Sequence, residues 1–130
     1  MNQQRVVILG EEDTRWQIRE TLKGNSEVDI IGELCAFHPR HVDFLAAERP
    51  EFVVVDGAAR SINLLLVIAE LRALPVPPKV IVVLDAVGPI DYRAVSRLGI
   101  DAIVTTRQAL RAALHVSPIA AFPLTAGIAA

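Results

Sequence analysis

The chain has 130 residues, 52% of them hydrophobic and 22% charged, with a formal net charge of -2. That length suits one core and the apolar share offsets the entropy of ordering it, which sets wholesale disorder aside. The interspersed Lys and Arg form no basic stripe able to neutralise a run of phosphates, so direct nucleic-acid binding is not expected.

The first apolar run, Val6-Val7-Ile8-Leu9, follows Met1-Asn2-Gln3-Gln4-Arg5. It is too short for a signal-peptide core and lacks a small-residue cleavage pattern; it reads as a strand. Further short, β-branched runs at Val28 to Ile31, Phe52 to Val55, Val80 to Val83 and Ala102 to Val104 alternate with stretches of helical spacing. That alternation predicts an α/β fold, a parallel sheet buried by helices on both faces.

The first helix is expected near Thr14, whose hydroxyl and Gln17 would form a capping box, and to end at Gly24. Pro39 opens a second helix to about Arg49, after which Pro50 forces the chain extended. Ser61 is read as the cap of a third, with Leu64, Leu65, Ile68 and Leu71 on one face. Pro75, Pro77 and Pro78 break the pattern before Lys79.

Asp91 favours the start of a fourth helix ending at Gly99. Thr105 or Thr106 would cap a short fifth beginning near Arg107, limited by Pro118 and Pro123. The expected domain spans residues 1–115. Residues 116–130 form an uncharged apolar tail that either packs on this domain or a neighbour, or is a frayed end. No stretch approaches the ~20 apolar residues of a bilayer span, so no membrane association is expected.

Chemistry in an open parallel sheet gathers beyond the carboxyl ends of the strands. The residues there are Gly10, Glu11 and Glu12, then Asp56 and Gly57, Leu84 and Asp85, and Thr105 and Thr106. From Arg5 to about Leu114 the order of these segments resembles the receiver domain of response regulators. Residues 5–12 look like that family's first strand and acidic turn, and Pro50 to Asp56 is similar to the segment carrying its phosphoacceptor aspartate. Lys79 to Leu84 and Leu98 to Val104 look like its fourth strand and the approach to its fifth.

The resemblance implies a flavodoxin-like, doubly wound, five-stranded parallel sheet in the order 2-1-3-4-5. Residues 26–33 are most similar to the branch that precedes helix-turn-helix domains. Such a domain is not expected after residue 114, so a role in transcription regulation would run through a partner.

The resemblance also implies an aspartate nucleophile, acids holding Mg²⁺, a hydroxyl after the fourth strand and a lysine after the fifth. Metal and ammonium screen the repulsion between a carboxylate and an incoming phosphoryl group; the hydroxyl then draws its loop inward. Asp56 matches the phosphoacceptor. Gly10 and Glu11 stand where two adjacent acids are expected, with Glu12 able to serve if the turn shifts, so Glu11, Glu12 and Asp56 are the candidate Mg²⁺ ligands.

Leu84 occupies the hydroxyl position, Thr106 the lysine position, Ile103 the position of the aromatic switch and Arg60 that of a proline. Loss of the ammonium alone removes a charge-assisted contact from an anionic pocket. Arg60 and Arg107 are the cations within reach.

Each candidate also has a structural reading. Asp56 can cap its own loop, and Glu11 and Glu12 can be solvated loop charges. His38, His41 and His115 suit surface or helix-end roles. Trp16 and Tyr92 are packing residues or part of a partner site. Cys35, the one cysteine, cannot form an internal disulfide, and no Cys/His group has zinc spacing, which suits a reducing cytoplasm; it reads as a small packing residue.

The expectation is therefore a degenerate or pseudo-receiver, not an enzyme, acting in two-component phosphorelay signalling through protein-protein interaction. The resemblance puts the contact face, and a homodimer interface, on the fourth helix, fifth strand and fifth helix. The alternative is a working receiver phosphorylated on Asp56 by a histidine kinase with Mg²⁺. A small-molecule binder ranks last for want of a Gly-rich phosphate loop.

Overall fold

The computed structural model describes residues 3–23, 27–84, 97–105 and 107–115. Five strands, β1 (Gln4–Leu9), β2 (Val28–Leu34), β3 (Phe52–Asp56), β4 (Lys79–Val83) and β5 (Ala102–Val104), form one sheet in the order β2-β1-β3-β4-β5. All neighbouring strands are parallel, as the resemblance implied. The described helices are α1 (Glu12–Leu22), α2 (Pro39–Glu48), α3 (Leu64–Arg72) and α4 (Arg107–His115). Helix α4 is the one expected fifth; of the stretch expected fourth only Arg97, Leu98 and Gly99 are described, the first two helical and Gly99 in a turn at φ 99.

Strand alternation sorts the apolar side chains onto two faces. Val7, Leu9, Val53, Val55, Val80, Val82 and Ile103 point toward α2 and α3, where Leu45, Val67, Ile68 and Leu71 meet them. Val6, Ile8, Val54, Ile81 and Val104 point the other way, toward Ile18 and Leu22 of α1 and Leu110 and Leu114 of α4. Each fully buried Val, Ile or Leu contributes about 1.5–3 kcal/mol, and the strands need apolar residues on both faces because both are covered.

Four local expectations are corrected. Helix α1 begins at Glu12 with Glu11 as its N-cap, ahead of Thr14; Glu12 and Asp13 in the first turn meet the positive end of the helix dipole. Helix α3 is capped by Asn63, whose side chain accepts the Leu66 N–H at 3.2 Å. Ser61 instead donates its hydroxyl to the Cys35 carbonyl at 3.1 Å. Strand β2 runs on to Leu34, with Ile31 as an extra residue where the β1 register passes from Ile30 to Gly32; such a bulge bends the strand locally.

Cys35 is exposed, which corrects its reading as a packing residue. Pro39 does open α2, and Arg49 closes it in the left-handed region at φ 49 just before Pro50. The expected caps Gly24 and Thr106, the start at Asp91, and the tail 116–130 lie outside the described residues.

Candidate functional site

The carboxyl ends of β1, β3 and β4 bring Gly10, Asp56 and Leu84 together. Asp56 closes β3 and is 5% exposed. A buried carboxylate requires hydrogen-bond donors. Its Oδ1 accepts the Ala58 N–H at 3.0 Å, and its Oδ2 accepts the Glu11 N–H at 3.4 Å. Both donors are backbone groups of the loops that frame the pocket.

Gly10 lies directly against this carboxylate. A Cβ added to Gly10 would stand 2.5 Å from the Asp56 Cβ and 3.3 Å from Oδ2, inside any tolerable contact. Position 10 thus has no room for a side chain unless Asp56 shifts. The turn is pinned from outside by Arg15, whose Nε donates to the Gly10 carbonyl at 2.9 Å. Arg15 and Arg19 converge on Glu33 of β2 at 3.5 and 2.7 Å.

Glu11 and Glu12 are both exposed. Glu11 brings its backbone to Asp56 but turns its carboxylate to the Arg60 N–H, Oε1 accepting at 3.3 Å. Magnesium needs near-octahedral oxygen ligands at about 2.0–2.1 Å. The side chains present do not fit that requirement: position 10 excludes a ligand, the Glu11 carboxylate is engaged by Arg60, and among the described residues no three His, Cys, Asp or Glu side chains group to hold a metal ion.

Leu84 turns inward. A Cβ on Gly57 would meet Leu84 Cδ2 at 2.6 Å and Val82 Cγ1 at 2.8 Å, so the leucine lies over the residue that follows Asp56. It is anchored there by its own N–H, which donates to the Val104 carbonyl at 3.0 Å, and by packing on the α2/α3 side of the core. Ile103 is 4% exposed and belongs to the same cluster. A β-branched side chain enclosed in a close-packed core is restricted at χ1.

Arg60 is exposed and contributes its backbone to Glu11. Thr106, Asp85 and Tyr92 lie outside the described residues, as does the side chain of Arg107. Trp16 is 51% exposed on α1.

The histidines play the helix-end role expected of them, in a form the sequence reading did not specify. His38 caps α2 and donates its N–H to His41 Nδ1 at 3.0 Å, while the His41 N–H donates to the His38 carbonyl at 2.8 Å. The three-residue spacing is the signal of a reciprocal cap. Desolvation first, then the Arg40 charge and His38, hold His41 below the ordinary histidine pKa.

Also missed were Arg15 and Asn63. Asn63 stands immediately before the apolar run Leu64-Leu65-Leu66, which is itself a helix-start signal.

No family model and no curated protein matches the sequence. Among solved structures, the receiver domain of the response regulator NarL from Mycobacterium tuberculosis superposes with a TM-score of 0.70 at 18% identity, covering 89% of this chain and all of that one. The response-regulator domain of CheB from Thermotoga maritima gives 0.70 at 16%, covering 90% of this chain and all of that one. The non-phosphorylated receiver domain of RcsB from Escherichia coli gives 0.63 at 20%, covering 87% and 88%. At these identities the likeness is one of architecture, and it extends over nearly the whole chain: the fold is that of the response-regulator receiver domains.

Proposed function

We propose that the chain is a pseudo-receiver: a two-component signalling module that works by binding a regulatory protein and does not run a phosphorylation cycle on Asp56. The observation that carries this reading is the state of the Asp56 carboxylate, bonded by the Ala58 and Glu11 N–H groups with the Gly10 backbone against it. Leu84 over Gly57 closes the neighbouring wall. A phosphoryl group needs an open face on the carboxylate, screening cations and a hydroxyl to respond to it. Leu84 supplies no hydroxyl, Thr106 no ammonium and Gly10 no metal ligand.

This reading makes the chain a non-enzymatic, cytoplasmic partner of a regulatory protein or histidine kinase, with no direct nucleic-acid contact. Among the described residues no helix is long and apolar enough to cross a membrane. By analogy with its fold, the contact face, and the place for a homodimer interface, is the stretch expected as the fourth helix together with β5 and α4.

Intact-protein mass after incubation with acetyl phosphate and Mg²⁺, beside an Asp56→Asn variant, tests the reading. Unchanged mass in both chains, under conditions that label an active receiver, supports it. A phosphate-sized gain abolished by Asp56→Asn establishes the opposite, a working phosphoacceptor.

A further inference from the structure

Helix α3 carries more apolar surface than its core contact uses. Val67, Ile68 and Leu71 are buried and Leu64 packs beside them, the i, i+3, i+4, i+7 stripe that faces a sheet. Leu65 and Leu66, between those positions, are 61% and 52% exposed. Surface leucines standing singly need no explanation, but Leu66 lines a groove.

Between α2 and α3 lies a cavity of ≈400 Å³ lined by Phe37, Pro39, Val42, Asp43, Leu66 and Glu70. Its floor and walls are apolar and its charged lining residues, one from each helix, are both acidic. Neither Asp43 nor Glu70 is ion-paired within the described residues. The groove is also held in shape where both of its helices start. The Asn63 cap fixes the first turn of α3 under Leu66, and the reciprocal His38–His41 pair fixes the start of α2 beside Phe37 and Pro39. A preformed apolar cleft flanked by unpaired carboxylates is complementary to apolar side chains flanked by cations.

From this charge complementarity we infer that the α2–α3 groove docks a segment of a partner protein in which leucine-like side chains alternate with Lys or Arg. The apolar side chains enter between Phe37, Val42 and Leu66, and the cations reach Asp43 and Glu70. The inference deepens the reading of the chain as a binding module. It places the contact on the face opposite α1 and α4, where it is independent of Asp56.

The test is amide-resolved NMR titration of the full chain with an acetylated, amidated peptide of alternating lysine and leucine pairs. Two control peptides replace leucine by serine or lysine by glutamate. The expected result is saturable shifts at the amides of Phe37, Val42, Leu66 and Glu70 with the lysine–leucine peptide alone. Binding should weaken at least tenfold in Leu66→Ser and in Glu70→Lys, with thermal unfolding unchanged.

Shifts mapping only to β5 and α4 would overturn the groove while leaving the binding-module reading intact. So would equal binding of the serine control, or shifts at these amides that depend on protein concentration without peptide, which would identify a second copy as the occupant. No binding anywhere, combined with phosphoryl uptake by Asp56, would remove both.

Discussion

The Asp56 pocket and the α2–α3 groove stand on the same scaffold in opposite states. At Asp56 every feature closes the site: two backbone donors on the carboxylate, Gly10 against its Cβ, Leu84 over Gly57 and Ile103 sealed in the core. At the groove, by contrast, Leu66 is exposed and Asp43 and Glu70 are unpaired among the described residues, with caps at both helix starts. On the proposed function, the contrast marks where a binding surface stands in place of a reaction. A phosphoryl-transfer site must stay open to metal and substrate, whereas a docking surface needs only shape, exposure and charge.

The largest expected effect comes from the closed region. Ile103→Ala removes a buried member of the α2/α3-side core and should cost about 2–5 kcal/mol, read from the urea midpoint at unchanged slope. A cost below 1 kcal/mol would mean that the position tolerates movement, as a switch residue does. Next, Gly10→Asp restores the missing acid by charge but drives a Cβ into Asp56; overpacking of this kind costs about 1–3 kcal/mol. Equilibrium unfolding should show that loss without any gain of metal affinity by calorimetry. Full stability with new Mg²⁺ binding would show that the pocket can open.

The groove responds more weakly. Asn63→Ala removes the cap from α3, a loss of about 1 kcal/mol, and should loosen the Leu66 wall, seen as faster amide exchange at Leu66 and Val67. An unaltered exchange rate would detach the cap from the groove's rigidity.

The smallest effect is the pH response of α2. The His38 N–H needs an unprotonated His41 Nδ1, and the folded pKa of His41 lies below the ordinary value of 6.5. The unfolded chain therefore binds the proton first as pH falls. The stabilisation is fully present above 6.5 and is lost as pH drops through the folded pKa. His41→Gln should flatten that decline in thermal unfolding between neutral and mildly acidic pH; an unchanged slope would exclude His41 as its source.

Much of this architecture is legible in the residues because it rests on backbone chemistry. The β-branched runs gave the strands, Pro39 and Pro50 bounded α2, and the chain order put Gly10, Glu11, Asp56 and Leu84 at one end of the sheet. The errors arose where two local signals competed. Thr14 with Gln17 makes a plausible capping box, yet Glu11 is the N-cap because the β1 turn delivers its N–H to Asp56. Ser61 is a good cap by type, but its hydroxyl is taken by the Cys35 carbonyl and Asn63 caps α3 in its place.

The site was half legible for a different reason. The resemblance implies an acid where Gly10 stands and a hydroxyl where Leu84 stands, and both departures are matters of residue type. The close approach of the Gly10 backbone to Asp56 and the inward turn of Leu84 onto Gly57 depend on how three parallel strands align, which no local pattern encodes. The groove was invisible for the same reason, because it exists only where α2 and α3 lie side by side.

The central claim is that the Asp56 carboxylate is occupied by its own loops. Amide-resolved NMR with added Mg²⁺ and beryllofluoride, a phosphoryl mimic, tests it most directly by following the Glu11 and Ala58 N–H signals that bond the carboxylate. The account predicts that both stay in place through millimolar mimic. A shift of both, together with the Leu84 amide, would show that metal and mimic reach Asp56 and displace its backbone donors, and would contradict it.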